Sequence, residues 1–286
     1  MRIVNAALAA TLLAGCAAVP SNAPGRVGKA APVPASQVLT VDAEPGRTVD
    51  LVVLRPAVVR GVVLFGHAQG GDASRYKALG DALTGAGWLV IAPTHVDSLR
   101  HPRRAQFDQR TGFAARIADV AAAARAARTL APGKPIVAVG HSYGSLLAAM
   151  QGGALSAAIP ARDPDVRAVL AFSTPGRIPG LIGPQSYATL GVPTMVITGD
   201  ADVVPGFIPD WTQHLAMFAD SPAGDKYALI VKGGGHMLAI DGTGVEHDRA
   251  IAAGLDFLAA YGLGDPAAKA RLGRLRSTAG MEVRRR

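Results

Sequence analysis

Short apolar runs, each bounded by glycine or proline, recur along this chain and alternate with segments of helical period. Leu51-Val52-Val53-Leu54 stops at Pro56, and Gly61-Val62-Val63-Leu64-Phe65 is closed by Gly66. Trp88-Leu89-Val90-Ile91 ends at Pro93, and Pro135-Ile136-Val137-Ala138-Val139 runs into Gly140. Further runs fall within 166–172, at 194–198 and at 227–231. Between them, 73–86 suits a helix closed by Gly85 or Gly87. Phe113, Ile117, Val120, Ala124 and Ala127 place a helix over 111–130, Tyr143–Gln151 continues as another, and 245–261 carries Ile251, Leu255 and Leu258 on one face. Strands that are apolar on both faces must be covered on both. The pattern therefore predicts the α/β class, with a mostly parallel central sheet and helices on both sides. No repeat and no internal linker interrupts 38–264, so this stretch is expected to be a single domain.

The nucleophile signal lies at the end of one of these runs. Gly140-His141-Ser142-Tyr143-Gly144 has the pattern G-x-S-x-G, directly after an apolar strand and at the opening of a helix. A sharp strand-to-helix turn lifts such a serine above the sheet, and the flanking glycines let the backbone turn without a Cβ clash. On this motif in this setting the chain resembles the α/β-hydrolase superfamily over roughly residues 48–262. Within it, the chain is most similar to the dienelactone hydrolase-like and platelet-activating-factor acetylhydrolase-like esterases. Some dienelactone hydrolases use a cysteine. Here the single cysteine lies at position 16, which leaves Ser142 as the nucleophile.

The resemblance implies the rest of the site. The oxyanion formed on attack needs two backbone N–H donors, one from the residue after the nucleophile, Tyr143. The other comes from the loop after an early central strand. Gly66-His67-Ala68-Gln69-Gly70-Gly71 is similar to the family's H-G-x-G pattern and points to the amide of Gln69, with its side-chain amide as the alternative donor. Ala68 stands where the family has glycine, and a left-handed backbone there would strain an alanine. His67 reads as a loop-bracing residue. Gly199-Asp200-Ala201-Asp202-Val203-Val204-Pro205 resembles G-x-x-D-x-x-x-P, with Asp202 at the acid position and Asp200 as its rival. Lys232-Gly233-Gly234-Gly235-His236 follows the last predicted strand, and its glycines let His236 curl back towards Ser142 as the base.

The other histidines read differently. His95 and Asp97 either line the pocket or lie on a surface loop. His101, among Arg100, Arg103 and Arg104, reads as a solvated face, and His214 as part of an amphipathic helix. Glu246-His247-Asp248 reads as an acidic helix start. No group at metal-ligand spacing is visible, and neither metal nor cofactor is expected. The implied activity is hydrolysis of a small-molecule carboxylic ester through a Ser-His-Asp triad and an acyl-enzyme. The same triad would serve acyl transfer or amide hydrolysis, and a non-catalytic envelope lipoprotein on this scaffold is a third reading. About 20 residues separate the strand near Phe172 from that near Thr194, too few for a large helical lid. Pro175, Gly176, Pro179, Gly180, Gly183 and Pro184 make this stretch a loop, so an open site for short or medium acyl groups is expected.

The ends carry their own signals. Arg2 precedes a mostly apolar stretch over 3–14, too short to span a bilayer, and Leu13-Ala14-Gly15-Cys16 follows. These four residues resemble the lipobox of bacterial lipoproteins. The resemblance implies a signal peptide over 1–15 and acylation of Cys16, which would anchor the chain to a membrane. An ordinary secretory signal with a chance cysteine is the alternative. Ala17, rather than Asp, favours the outer membrane, facing the periplasm in a Gram-negative envelope. Residues 16–37 are rich in Ala, Pro, Ser and Gly and read as a tether. One cysteine excludes an intramolecular disulfide, a Cys-based zinc site and a CxxC redox motif.

The formal charge of +8 is unevenly placed, with seven basic and two acidic residues in 265–286. That segment reads as a solvated tail or as a patch for anionic lipid headgroups. Residues 17–264 hold 21 basic and 19 acidic groups with no basic stripe interleaved with aromatics, so nucleic-acid binding is not expected.

Overall fold

A computed structural model describes residues 35–286. The signal peptide, Cys16 and the tether up to residue 34 lie outside the described residues. The apolar runs form β3 (Gly61–Gly66), β4 (Trp88–Pro93), β5 (Ile136–His141), β6 (Val166–Phe172), β7 (Thr194–Gly199) and β8 (Lys226–Val231). These six pair in parallel. Alternation along each strand sends side chains to two faces. Val62, Leu64, Ile91 and Ala138 pack against α2 (Gln109–Leu130) and α3 (Tyr143–Gln151) through Val120, Ala123, Leu146 and Leu147. Val63, Phe65, Val90 and Val139 pack against α1 (Lys77–Gly85) and α6 (Val245–Gly262) through Leu79, Leu83, Phe257 and Leu258. Each fully buried aliphatic side chain here contributes roughly 1.5–3 kcal/mol.

Antiparallel strands extend both edges. β1 (Ala35–Glu44) and β2 (Arg47–Arg55) form a hairpin around Pro45-Gly46, where Gly46 has φ 76°. β2 joins β4, and β9 (Met281–Arg285) joins β8 at the far edge. The order is β1-β2-β4-β3-β5-β6-β7-β8-β9. Between β6 and β7, residues 173–193 form turns without a helix, pinned to the core by Ile182, Tyr187 and Leu190. Among the described residues no helix is long and apolar enough to cross a membrane.

The folded body therefore overruns the expected 38–264 at both ends. At the front, Leu39, Val41 and Ala43 alternate inward, and β1 takes residues 35–37 from the expected tether. At the back, 265–286 is not a solvated tail. Asp265 caps the helix α7 (Pro266–Arg274) by accepting from the N–H groups of Ala267 and Ala268, and Ala268 and Leu272 pack into the core. Met281 is buried at the start of β9. The arginines are engaged locally. Arg285 donates to the Leu272 carbonyl at 2.8 Å, Arg271 pairs with Asp256 at 2.6 Å and Arg284 with Glu282 at 2.7 Å. A short, charged outer strand of this kind discourages further pairing at an open sheet edge.

Candidate active site

β5 ends at His141 and α3 starts at Tyr143, so Ser142 alone makes the turn. It does so at φ 53° and ψ −121°, a strained conformation for a residue with a Cβ. The crossing is tight enough that glycine is required beside it. A Cβ on Gly140 would collide with the backbone of Gly144, and one on Gly144 with the backbone of Gly66.

The loops after β7 and β8 bring the partners in. His236 Nε2 lies 3.1 Å from Ser142 Oγ, and His236 Nδ1 lies 2.8 Å from Asp202 Oδ1. Asp202 is fully buried, and its Oδ2 accepts from Thr198 Oγ1 at 2.7 Å. Burial alone would raise its pKa, but hydrogen bonds from His214 and His236 hold the carboxyl well below the usual carboxylate range. The rival acid, Asp200, is exposed and accepts the N–H of Gly233, bracing the loop that carries His236.

Tyr143 and Gln69, the residues expected to bind the oxyanion, both border a cavity of about 390 Å³ that Ser142 and His236 also line. In the Gly66–Gly71 loop the N–H of Ala68 goes to Tyr76 Oη (3.0 Å), that of Gly70 to Asp97 Oδ2 (3.1 Å) and that of Gly71 to the Ala68 carbonyl (3.0 Å). Among the described residues the Gln69 N–H has no hydrogen-bond partner. Tyr143, as the first helical residue, has no intrahelical acceptor for its own N–H. Ala68 is not strained, because the left-handed position falls on Gly70, at φ 70°.

Arg116 holds this loop from below. Wholly buried on α2, it donates to the carbonyls of His67 (2.9 Å) and Ala68 (3.2 Å), pairs with Asp97 at 2.7 Å and lies 4.6 Å over the Tyr143 ring. One guanidinium thus touches both the Gly66–Gly71 loop and the Tyr143 ring. Against the opposing effect of burial, Arg116 keeps the Asp97 carboxyl well below its ordinary pKa. His67 braces the loop, with Nδ1 donating to the Ala68 carbonyl at 2.7 Å and Nε2 accepting the His95 N–H at 3.1 Å.

His95 is neither in the pocket nor on the surface. It is fully buried against Asp119, with Nδ1 2.9 Å from Oδ2. Burial pushes the Asp119 carboxyl up to about 6 even though Arg47 donates to it at 2.6 Å. His101 is partly buried beside Phe107 rather than solvated, and His247 bonds Asp248 at 3.0 Å at the start of α6.

Three residues of this machinery went unassigned in the sequence. Arg116 falls on the apolar stripe of α2, three residues after Phe113 and four before Val120, where a buried charge is a legible signal. His141 occupies a variable position of the G-x-S-x-G pattern, and His214, read as part of an amphipathic helix, instead lies fully buried on the short turn Trp211–Leu215. The donor atoms of Asp202, His214 and His236 lie within 4.8 Å of one another. Both imidazoles face the Asp202 carboxylate at 2.8 Å.

No family model matches this chain, and no curated protein matches it in sequence. Among solved structures it is similar to an alpha-beta serine hydrolase homologue from Coxiella burnetii. That similarity has a TM-score of 0.57 and 14% identity, and covers 77% of this chain and 95% of that chain. At that identity the likeness shows the fold: a single α/β-hydrolase domain without a large cap.

Proposed function

We propose that this chain is a serine hydrolase that cleaves carboxylic esters through an acyl-enzyme. The observation that carries the reading is the unbroken line from Ser142 Oγ through His236 to Asp202, at 3.1 and 2.8 Å, set on a strained turn at a cavity that Gln69 and Tyr143 also line. Ser142 Oγ attacks the ester carbonyl while His236 Nε2 takes its proton. Asp202 orients the imidazole and stabilises its charged form. The N–H groups of Gln69 and Tyr143 bind the oxyanion, each donor worth roughly 3 kcal/mol in the transition state. The adduct collapses, the C–O bond to the alcohol breaks, and the leaving oxygen takes the proton from Nε2. Water then attacks the acyl carbonyl, gives its proton to His236, and releases the acid and free Ser142.

The cavity supports a short or medium acyl group. It holds about 390 Å³, and Phe113, Ile178, Val204, Phe207, Ile208 and Ile240 make much of its wall apolar. The finer likeness to dienelactone hydrolase-like and platelet-activating-factor acetylhydrolase-like esterases fits a site without a helical lid. The lipobox-like run Leu13-Ala14-Gly15-Cys16 supports an acylated Cys16 anchored at the outer membrane, with the hydrolase facing the periplasm.

A fluorophosphonate probe tests the nucleophile: wild type is labelled and Ser142→Ala is not. Equal labelling of both overturns the assignment. A p-nitrophenyl ester series on the full chain reads the acyl length, and added alcohols separate hydrolysis from transfer. A folded protein inert across the whole series overturns the esterase reading.

A further inference from the structure

Asp202 has a second histidine. His214 sits in a short helical turn, Trp211–Leu215, and is fully buried. Its Nε2 lies 2.8 Å from Asp202 Oδ1 and 2.9 Å from the Asp202 carbonyl oxygen. Its Nδ1 faces the carbonyl of Thr174, whose hydroxyl donates back to the His214 carbonyl at 2.8 Å. Every recorded partner of either ring nitrogen is an oxygen acceptor. A neutral imidazole has one bare nitrogen lone pair, and either tautomer would press it against an oxygen lone pair in a site closed to water. Only the doubly protonated ring satisfies both sides. Burial opposes that charge, but the hydrogen bond and negative charge of Asp202, with the carbonyls of Thr174 and Asp202, raise the pKa of His214.

The surroundings hold no competing cation. The titratable groups facing the ring are Asp202, from the loop after β7, and His236, from the loop after β8, at 5.7 Å between ring centres. Behind His236 lies His141, at the end of β5, which burial and His236 push down to about 4 and keep neutral. Asp210, on the same turn as His214, is exposed and bonds Thr212.

We propose that His214 is a standing imidazolium that neutralises Asp202, making it a positioning residue that extends the reaction to more acidic pH. In an ordinary triad one carboxylate serves one histidine with its full charge. Here two histidines share it. The base must be free of its proton before Ser142 can attack, and a cation nearby favours that loss. Removing the charge of His214 takes that help away. The acid limb of kcat/KM then moves to higher pH, by about one unit.

The proposal rests on the hydrolase reading, and two measurements keep the two apart. The first is the pH profile of p-nitrophenyl butyrate cleavage by wild type and by His214→Gln, which keeps a donor for Asp202 without the charge. The acid limb is expected to rise by about one pH unit in His214→Gln. A uniform loss of rate with an unmoved limb is the mark of a purely structural role and overturns the proposal. The second is ring-nitrogen NMR of histidine-labelled wild-type protein, which needs no activity and no folded variant. One imidazolium with both nitrogens protonated is expected to persist at pH 8, and the absence of any such signal overturns the proposal. If wild type cleaves no ester but retains that imidazolium, the hydrolase reading fails while the charge assignment stands.

Discussion

His141 donates its Nε2 hydrogen to the main-chain carbonyl of His236 across 2.7 Å, so the residue before Ser142 holds the loop that carries His236. Its Nδ1 accepts from the Tyr76 hydroxyl at 2.8 Å, and that hydroxyl accepts the N–H of Ala68 at 3.0 Å. A single chain of hydrogen bonds thus runs from the Gly66–Gly71 loop, through the centre of the G-x-S-x-G turn, to His236. Both roles of the ring need its neutral form, which burial and the neighbouring His236 enforce by pushing its pKa down to about 4.

Replacing this ring severs both links. His141→Phe fills the space but leaves the Tyr76 hydroxyl and the His236 carbonyl without their partner, at a cost of about 1–3 kcal/mol for each buried group. The expected result is a kcat/KM lowered by roughly 10- to 100-fold, since both ends of the site loosen, with Ser142 still labelled by fluorophosphonate, only slower. Timed labelling reads this, and a rate equal to wild type removes His141 from the chain.

The same ring makes stability depend on pH. An unfolded histidine titrates near 6.5 and folded His141 at about 4, so between these values the unfolded chain binds the extra proton. The contribution of His141 is fully present above 6.5 and is lost as pH falls to 4, amounting to roughly 3 kcal/mol. Urea unfolding at a series of pH values should show a steeper acid loss in wild type than in His141→Phe. Parallel curves would show that the ring titrates normally.

Arg116 is wholly buried, so its removal strands Asp97 and two carbonyls. Arg116→Met should lose about 3–5 kcal/mol of stability. Adding Asp97→Asn should recover part of it, because the orphaned carboxylate is gone. Arg116→Lys should not restore the rate, since a point charge cannot span two carbonyls, a carboxylate and an aromatic face together. Chemical unfolding and ester hydrolysis on the same samples separate the two effects.

Ser142 holds an unfavourable backbone. Ser142→Gly should abolish activity yet raise stability by about 1–2 kcal/mol, because glycine adopts φ 53° without strain. A melting temperature no higher than wild type would show that the turn stores none.

A chain stopped at residue 264 should aggregate. It lacks α7 and β9 and so exposes the Lys226–Val231 edge of β8, together with the core positions vacated by Leu272 and Met281. Light scattering and size-exclusion chromatography compare it with the full chain, and a stable monomer of this shortened form would return 265–286 to the status of an appendage.

Legibility in the sequence followed physical periodicity. The six parallel strands were visible because burial on both faces writes an unbroken apolar run, and Ser142 because its turn demands glycines at fixed spacing. β1 was passed over because Leu39, Val41 and Ala43 alternate with polar residues beside a Pro-rich stretch. β9 is not legible in the sequence because Met281 and Val283 stand in a short, arginine-rich run that reads as a charged tail. His214 had no sequence mark at all: it meets Asp202 only because the loop after β7 folds back on itself. Long-range electrostatics of that kind is a property of the tertiary arrangement, which local pattern does not record.

The seating of the Gly66–Gly71 loop on Arg116 bears on how the site would meet a ligand. The loop is fastened to α2 through Arg116, so Gln69 is held in place before anything arrives. The site behaves as a mould, not a hinge: a boronic acid imitating the tetrahedral adduct should enter with little change in the backbone, and the free and occupied forms should superpose.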